Sequence, residues 1–77
     1  MKLTHEKKAD KIAVLDFIHK RDVVTTSDLM DEFGYAYWGA VNRLRNLLSQ
    51  RLIKRVHKGK YCLAEDGYTK LSYFGRL

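Results

Sequence analysis

Residues 36–63 read AYWGAVNRLRNLLSQRLIKRVHKGKYCL, and the spacing of their apolar side chains changes once along the stretch. Up to position 50 the apolar residues lie within about 120° of arc on a helical projection, as in a helix that packs one side against a core. This core-facing stripe consists of Tyr37, Ala40, Val41, Leu44, Leu47 and Leu48. The pattern predicts an amphipathic helix from Ala36 to Gln50.

Beyond Arg51 the helical spacing stops and strand-forming residues follow. The runs 53–57 and 60–63 contain enough β-branched and aromatic residues to be strands. Lys58-Gly59, between them, suits a tight hairpin turn. We therefore predict a basic two-stranded hairpin, which we call the wing.

Two helices are predicted before this stretch. The first runs from His5 to about Lys20, and its apolar residues cover more than half of the helix circumference. Such a helix should be contacted from more than one side, either in a three-helix core, which we favour, or at a dimer contact. The second covers 26–33, between a capping box of Thr25 with Asp28 and a left-handed C-cap at Gly34. Its core-facing side carries Leu29, Met30 and Phe33.

Two segments have weaker patterns. In the connector 21–24, the β-branched pair Val23-Val24 is able to form a short strand. After the wing, 64–67 has the composition of a polar connector. The aromatic residues beyond it predict a short final helix or a tail that closes over the core.

Length and composition limit the class of protein. A chain of 77 residues fits one domain, 1–77, with one α+β core. The single cysteine, Cys62, excludes an internal disulfide framework, and neither a leader nor a long apolar run is evident. A cytoplasmic protein without membrane association is expected.

The net charge of +6 is concentrated in the second half of the chain. Residues 1–42 contain six Lys/Arg against seven Asp/Glu, whereas residues 43–77 contain nine against two. The basic residues from 43 to 60 follow one another without an acidic residue between them: Arg43, Arg45, Arg51, Lys54, Arg55, Lys58 and Lys60. This segregation predicts a surface that binds a polyanion in a salt-sensitive manner.

Three patterns, in this order and spacing, resemble a winged helix-turn-helix domain of small bacterial and archaeal transcriptional regulators. They are VTTSDLMDEFG at 24–34, VNRLRNLLSQRLIKR at 41–55 and LAEDGYTKL at 63–71. The resemblance implies a three-helix core, a recognition helix in the major groove of double-stranded DNA and a wing on the backbone or minor groove. Many such proteins bind as dimers, so a homodimer is possible.

This sequence departs from the usual pattern at two positions. Arg51 stands where many relatives have a left-handed glycine, so the helix either ends one residue differently or Arg51 adopts a positive φ. Ala64 replaces the hydroxyl residue that commonly caps the last helix.

The outward face of the predicted recognition helix and the wing supply the candidate site. The candidate base-contacting residues are Trp38, Gly39, Asn42, Arg43 and Asn46. Candidate backbone contacts are Tyr35, Arg45, Lys54, Arg55, His57, Lys58 and Lys60.

Other interpretations of these residues stay open. The helix face could be an ordinary solvated surface, and lysines on an exposed strand edge also prevent aggregation. Trp38 and Tyr35 could pack on each other, anchor a protein partner or stack on single-stranded nucleic acid. A protein-interaction module is thus the main alternative to DNA binding.

Nothing in the sequence favours catalysis. The histidines His5, His19 and His57 have no metal-ligand spacing, and Cys62 has no partner motif. A phosphate-binding glycine loop is missing, and so short a chain has little volume for an enclosed pocket. We expect no enzyme activity, no cofactor, no metal and no small-molecule ligand.

Overall fold

The computed structural model describes residues 11–76, which form four helices and one hairpin. In chain order these are α1 (Lys11–Arg21), α2 (Thr26–Phe33), α3 (Tyr37–Ser49), β1 (Ile53–His57), β2 (Lys60–Leu63) and α4 (Glu65–Tyr73). The predicted first helix ends one residue later than expected, and its residues 5–10 lie outside the described part. The arrangement confirms the α+β winged helix-turn-helix architecture.

All six elements contribute to one apolar core. The buried residues are Val14, Leu15, Ile18, Val24, Leu29, Ala40, Leu44, Leu47, Leu52, Ile53, Leu63 and Leu71. α1 packs against both β2 and α4, while Ile12 and Phe17 lie partly buried at its sides. The broad apolar arc of α1 is therefore contacted from more than one side within the domain, as predicted.

α2 and its turn into α3 follow the local signals in the sequence. The Thr25 hydroxyl accepts a hydrogen bond from the Asp28 N–H at 3.2 Å, and the Thr25 N–H donates to the Asp28 carboxylate at 2.9 Å. Gly34 ends the helix at φ 73°, with its N–H donating to the Met30 carbonyl. The predicted capping box and left-handed cap are both confirmed, and they fix the direction in which α3 leaves.

The prediction that Tyr37 faces the core is wrong. Its side chain is 53% exposed, whereas Ala40, Leu44 and Leu47 are buried. These three residues define the centre of the buried face, and Tyr37 lies at its edge in the first helical turn, where no neighbouring element covers it. The Tyr37 ring instead packs edge-on against Trp38.

α3 ends in a Schellman motif with arginine at the left-handed position. The Arg51 N–H donates to the Leu48 carbonyl at 2.9 Å, and the Leu52 N–H donates to the Leu47 carbonyl at 3.0 Å. Arg51 has φ 63°. Of the two arrangements expected from the sequence, the positive φ is therefore present, and β1 begins at Ile53 as predicted.

The wing has the predicted strand boundaries and turn. Its antiparallel register pairs Ile53 with Leu63 at the buried base, and a bulge lies between Arg55 and His57. Val24 adds an isolated bridge, since its N–H and carbonyl exchange 2.9 Å hydrogen bonds with those of Tyr61. The strand expected at Val23-Val24 is thus a single residue, which attaches the hairpin to the α1–α2 connector.

The prediction of a connector at 64–67 is wrong, because α4 already begins at Glu65. Ala64 is its N-cap without a side-chain hydrogen bond, and Gly67 lies buried inside the first turn. Leu71 is the buried apolar anchor of α4. The aromatic residues that were expected to close over the core, namely Tyr68, Tyr73 and Phe74, are instead largely exposed.

Gly67→Ala should destabilise the protein. A Cβ at this position would overlap the Leu52 carbonyl oxygen and lie 2.9 Å from Leu63 Cδ2. We expect a loss of roughly 1–3 kcal/mol in the free energy of unfolding, measured by urea denaturation. Gly39→Ala is the matched control, since its Cβ would meet only Tyr35 at 3.8 Å. That variant should gain roughly 0.5–1 kcal/mol, and equal changes in both variants would contradict the packing described for Gly67.

Arg51→Gly should stabilise the protein, because glycine adopts a positive φ without the steric cost that a side chain incurs. The gain should be roughly 0.5–1 kcal/mol, since the greater freedom of glycine in the unfolded chain offsets part of the relief. Urea denaturation again measures it. Arg51→Ala removes the same charge but keeps the Cβ, so an equal gain in that variant would show that charge, not backbone strain, is responsible.

Candidate nucleic-acid interface

Three residues lie in a line along the outward face of α3. Trp38, Asn42 and Arg45 follow one another at spacings of four and three and are all exposed, opposite the buried Ala40 and Leu44. This line points most directly into solvent. A ligand that approaches α3 from the side opposite the core meets these side chains first.

A shallow depression of about 380 Å³ flanks this line on the side of the α2–α3 turn. It is lined by Tyr35, Gly39, Asn42, Arg43 and Asn46. Four of the five predicted base-contacting residues therefore lie together, and Asn42 belongs to both the line and the depression. Trp38 is outside the lining. Arg43 is half-buried, whereas Arg45, which the sequence assigned to the DNA backbone, is exposed.

The aromatic residues at the start of α3 pack in two separate pairs. Tyr35 lies against Phe33 with ring centroids 5.8 Å apart, and Trp38 lies against Tyr37 at 5.0 Å. Because Gly39 has no side chain, one side of the Tyr35 ring stays open to the depression. Trp38 remains 67% exposed, which makes it the largest exposed apolar side chain of α3.

The two asparagines of α3 keep their side-chain amides available. Ser49 and Gln50 both donate to the Asn46 backbone carbonyl, and Lys11 donates to the Gln50 side chain at 2.6 Å. Within residues 11–76 neither the Asn42 nor the Asn46 amide is hydrogen-bonded. Each offers two N–H donors and one acceptor oxygen, the combination that pairs with adenine in the major groove.

The wing exposes its cationic side chains. All the predicted backbone-contacting residues in it are exposed, namely Lys54, Arg55, His57, Lys58 and Lys60. The bulge leaves Val56 47% exposed, beside a hollow of about 400 Å³ that is also lined by Arg55, His57 and Lys58. Gly59, with φ 74°, makes the turn at the tip.

These wing cations have no carboxylate partner among the described residues. Ion pairs elsewhere in the described range join Lys20 and Arg76 to Asp16, and Arg21 to Asp28. The carboxylates of all three pairs belong to α1 and α2. These helices lie in the half of the chain that carries most of the acidic residues. Within residues 11–76, therefore, no carboxylate pairs with the positive charge of the wing.

In the range 11–76 no group of His, Cys, Asp and Glu side chains is arranged to hold a metal ion. Cys62 is a half-buried free thiol within β2, and His19 packs edge-on against Tyr68. No helix in this range is both long and apolar enough to span a membrane.

Comparison with known proteins supports the fold. The chain superposes on a solved structure of a candidate transcriptional regulator from Pseudomonas aeruginosa with a TM-score of 0.63 and 24% sequence identity. The match covers 94% of this chain and 55% of the other, so this chain spans about half the length of that protein. No protein-family profile and no curated protein matches the sequence. The shared feature is thus the winged-helix fold.

Proposed function

We propose that this protein binds double-stranded DNA in a sequence-specific manner and acts as a transcriptional regulator. The observation that carries the proposal is the outward face of α3, where two asparagine amides without hydrogen bonds to the described residues lie with the exposed Arg45. This helix leads directly into the wing, whose cations have no carboxylate partner within residues 11–76. Hydrogen-bonding groups on a helix and cations on an adjoining hairpin are the two components of DNA recognition.

In this proposal α3 enters the major groove. Asn42 and Asn46 pair with adenine edges, while Arg43, from the depression, contacts guanine. Arg45 points along the outward line with Asn42, so it reaches either a phosphate or a base. Gly39 allows the close approach of a base or sugar to Tyr35, and Trp38 packs on a sugar or a thymine methyl group.

The wing supplies most of the salt-dependent affinity. Lys54, Arg55, His57, Lys58 and Lys60 contact phosphates along the backbone or across the minor groove, because these exposed side chains bring positive charge or N–H donors to the phosphate oxygens. Regulation then follows from occupancy of a DNA site. This mode of action requires neither catalysis nor a cofactor, and in this proposal it takes place in the cytoplasm.

The structural neighbour supports the proposal at the level of its description, since that protein is itself a candidate transcriptional regulator.

The second candidate function is protein binding. It is favoured by Trp38, which is 67% exposed and rests on the ring of Tyr37, itself 53% exposed, an arrangement typical of an interface anchor.

A titration with random-sequence duplex DNA at two salt concentrations tests the proposal. We expect micromolar or tighter binding at roughly 50 mM salt and about a hundredfold loss at roughly 200 mM, because about four neutralised phosphates release their counterions. Fluorescence anisotropy of labelled DNA measures it, and the single tryptophan, Trp38, reports independently on α3. Absence of binding at low salt would overturn DNA binding in favour of the protein-binding candidate. Preference for single strands in competition would overturn the duplex assignment.

Two substitutions separate sequence recognition from backbone contact. Asn42→Ala should weaken binding to a sequence selected from a random pool by roughly 1–3 kcal/mol and leave binding to random DNA nearly unchanged. Lys58→Ala should weaken both by a similar factor, since phosphate contacts carry no base information. Lys20→Ala, an exposed lysine paired with Asp16 outside this surface, is the control and should change neither. Equal losses on both DNAs for Asn42→Ala would contradict the assignment of α3 as the reading helix.

A further inference from the structure

The end of α4 carries a cluster of exposed aromatic side chains. Tyr73 is 84% exposed and Phe74 52%, whereas Tyr68, earlier in the helix, packs edge-on against His19. The rings of Tyr73 and Phe74 pack edge-on with centroids 5.2 Å apart, so they project as a pair. Single exposed apolar residues are common on protein surfaces, but an adjoining pair of exposed aromatic rings is typical of an interaction site.

A groove runs beside this aromatic cluster. It has a volume of about 490 Å³ and is lined by Gln50, Leu52, Asp66, Thr69, Lys70 and Tyr73. Four of these residues follow one side of α4 at helical spacing, from its acidic first turn to the aromatic pair. The projecting rings and the groove are thus adjacent parts of one continuous surface, which we call the α4 surface.

The charges along α4 are ordered in a way that suits a second copy of the same helix. Glu65 and Asp66 lie in the first turn, and Lys70 lies in the last turn. When two such helices pack antiparallel about a two-fold axis, each acidic end faces the basic end of the other. Isologous dimer interfaces require this kind of self-complementarity. Binding to an unrelated partner does not require the surface to be complementary to itself.

We propose that the α4 surface is the contact between two copies of this chain in a two-fold symmetric dimer. Tyr73 and Phe74 of each copy pack into the groove of the other, and Asp66 of each copy lies near Lys70 of the other. The interface is isologous, so every contact occurs twice.

The available area fits a dimer of moderate affinity. An aromatic side chain buries roughly 150–250 Å² when fully covered. At their exposures, Tyr73 and Phe74 contribute roughly a quarter to two fifths of the ~800 Å² per partner in a standard interface. The flanking polar residues of the groove supply part of the remainder. The dimer is therefore expected to dissociate on dilution.

The α4 surface uses none of the residues to which we assign DNA contacts. The proposed DNA contacts lie on the α2–α3 turn, on α3 and on the wing, whereas the aromatic cluster lies at the end of α4. Dimer formation is thus independent of the proposed function, and its test needs no DNA.

Sedimentation equilibrium of the full chain over a range of concentrations tests the proposal. We expect the mass to rise from 9.0 kDa toward twice that value. Tyr73→Ser should weaken the dimer about tenfold or more, because it removes the most exposed ring of the contact. Tyr37→Ser removes a tyrosine that is 53% exposed on α3 and should leave the dimer unchanged. Circular dichroism checks that each variant is folded.

Charge reversal gives a test that does not alter the aromatic cluster. Asp66→Lys and Lys70→Glu should each prevent dimer formation when alone, because like charges then face each other across the two-fold axis. An equimolar mixture of the two variants should form a heterodimer, since every facing pair again has opposite sign. Glu32→Lys, on α2, makes the same charge change as Asp66→Lys outside the surface and should not affect the dimer.

Two results would overturn the proposal. The first is a wild-type chain that stays at its monomer mass up to millimolar concentration, which would assign the α4 surface to a different occupant. The second is a dimer that forms equally well in Tyr73→Ser and in both charge reversals, which would place the interface elsewhere.

Discussion

The backbone of Leu52 holds the main parts of the structure together. Its N–H closes the end of α3 on the Leu47 carbonyl, and its own carbonyl accepts the Ala64 N–H, which precedes α4, at 3.0 Å. Gly67 then packs directly on that carbonyl oxygen. Helix α3, the base of the wing and the start of α4 therefore meet at one peptide unit, while the Leu52 side chain lies in the core. The angle between the helix and the wing depends on this junction.

Most of the fold was predictable because its boundaries are marked by local chemistry. The capping box at Thr25, the cap at Gly34 and the turn at Gly59 each depend on residues within one turn of the chain, and all lie where expected. The start of α4 was missed because Ala64 offers no capping hydroxyl and Gly67 has the appearance of a helix breaker. Gly67 is explained only by the Leu52 carbonyl, a contact between distant residues that no local pattern reveals.

The candidate site was predictable in its broad position and less so in its details. Helical spacing identified the outward face of α3, and charge segregation identified the wing. Spacing alone does not say which neighbours cover the edges of a face, so Tyr37 was expected in the core. For the same reason Arg43 was favoured over Arg45, although Arg43 is the less exposed of the two. A projection centred on Ala40, Leu44 and Leu47 would have placed Arg45 beside Trp38 and Asn42.

The bridge between Val24 and Tyr61 divides the wing into an anchored base and a tip that makes no backbone bridge to the rest of the described residues. At the tip, apart from the two chain neighbours of Gly59, no described residue lies within 4 Å of where a side chain at Gly59 would begin. The length and sequence of the hairpin beyond the bridge can therefore change without disturbing the core. The wing is consequently the place where insertions are best tolerated, and one scaffold can acquire wings of different reach while α3 keeps its position.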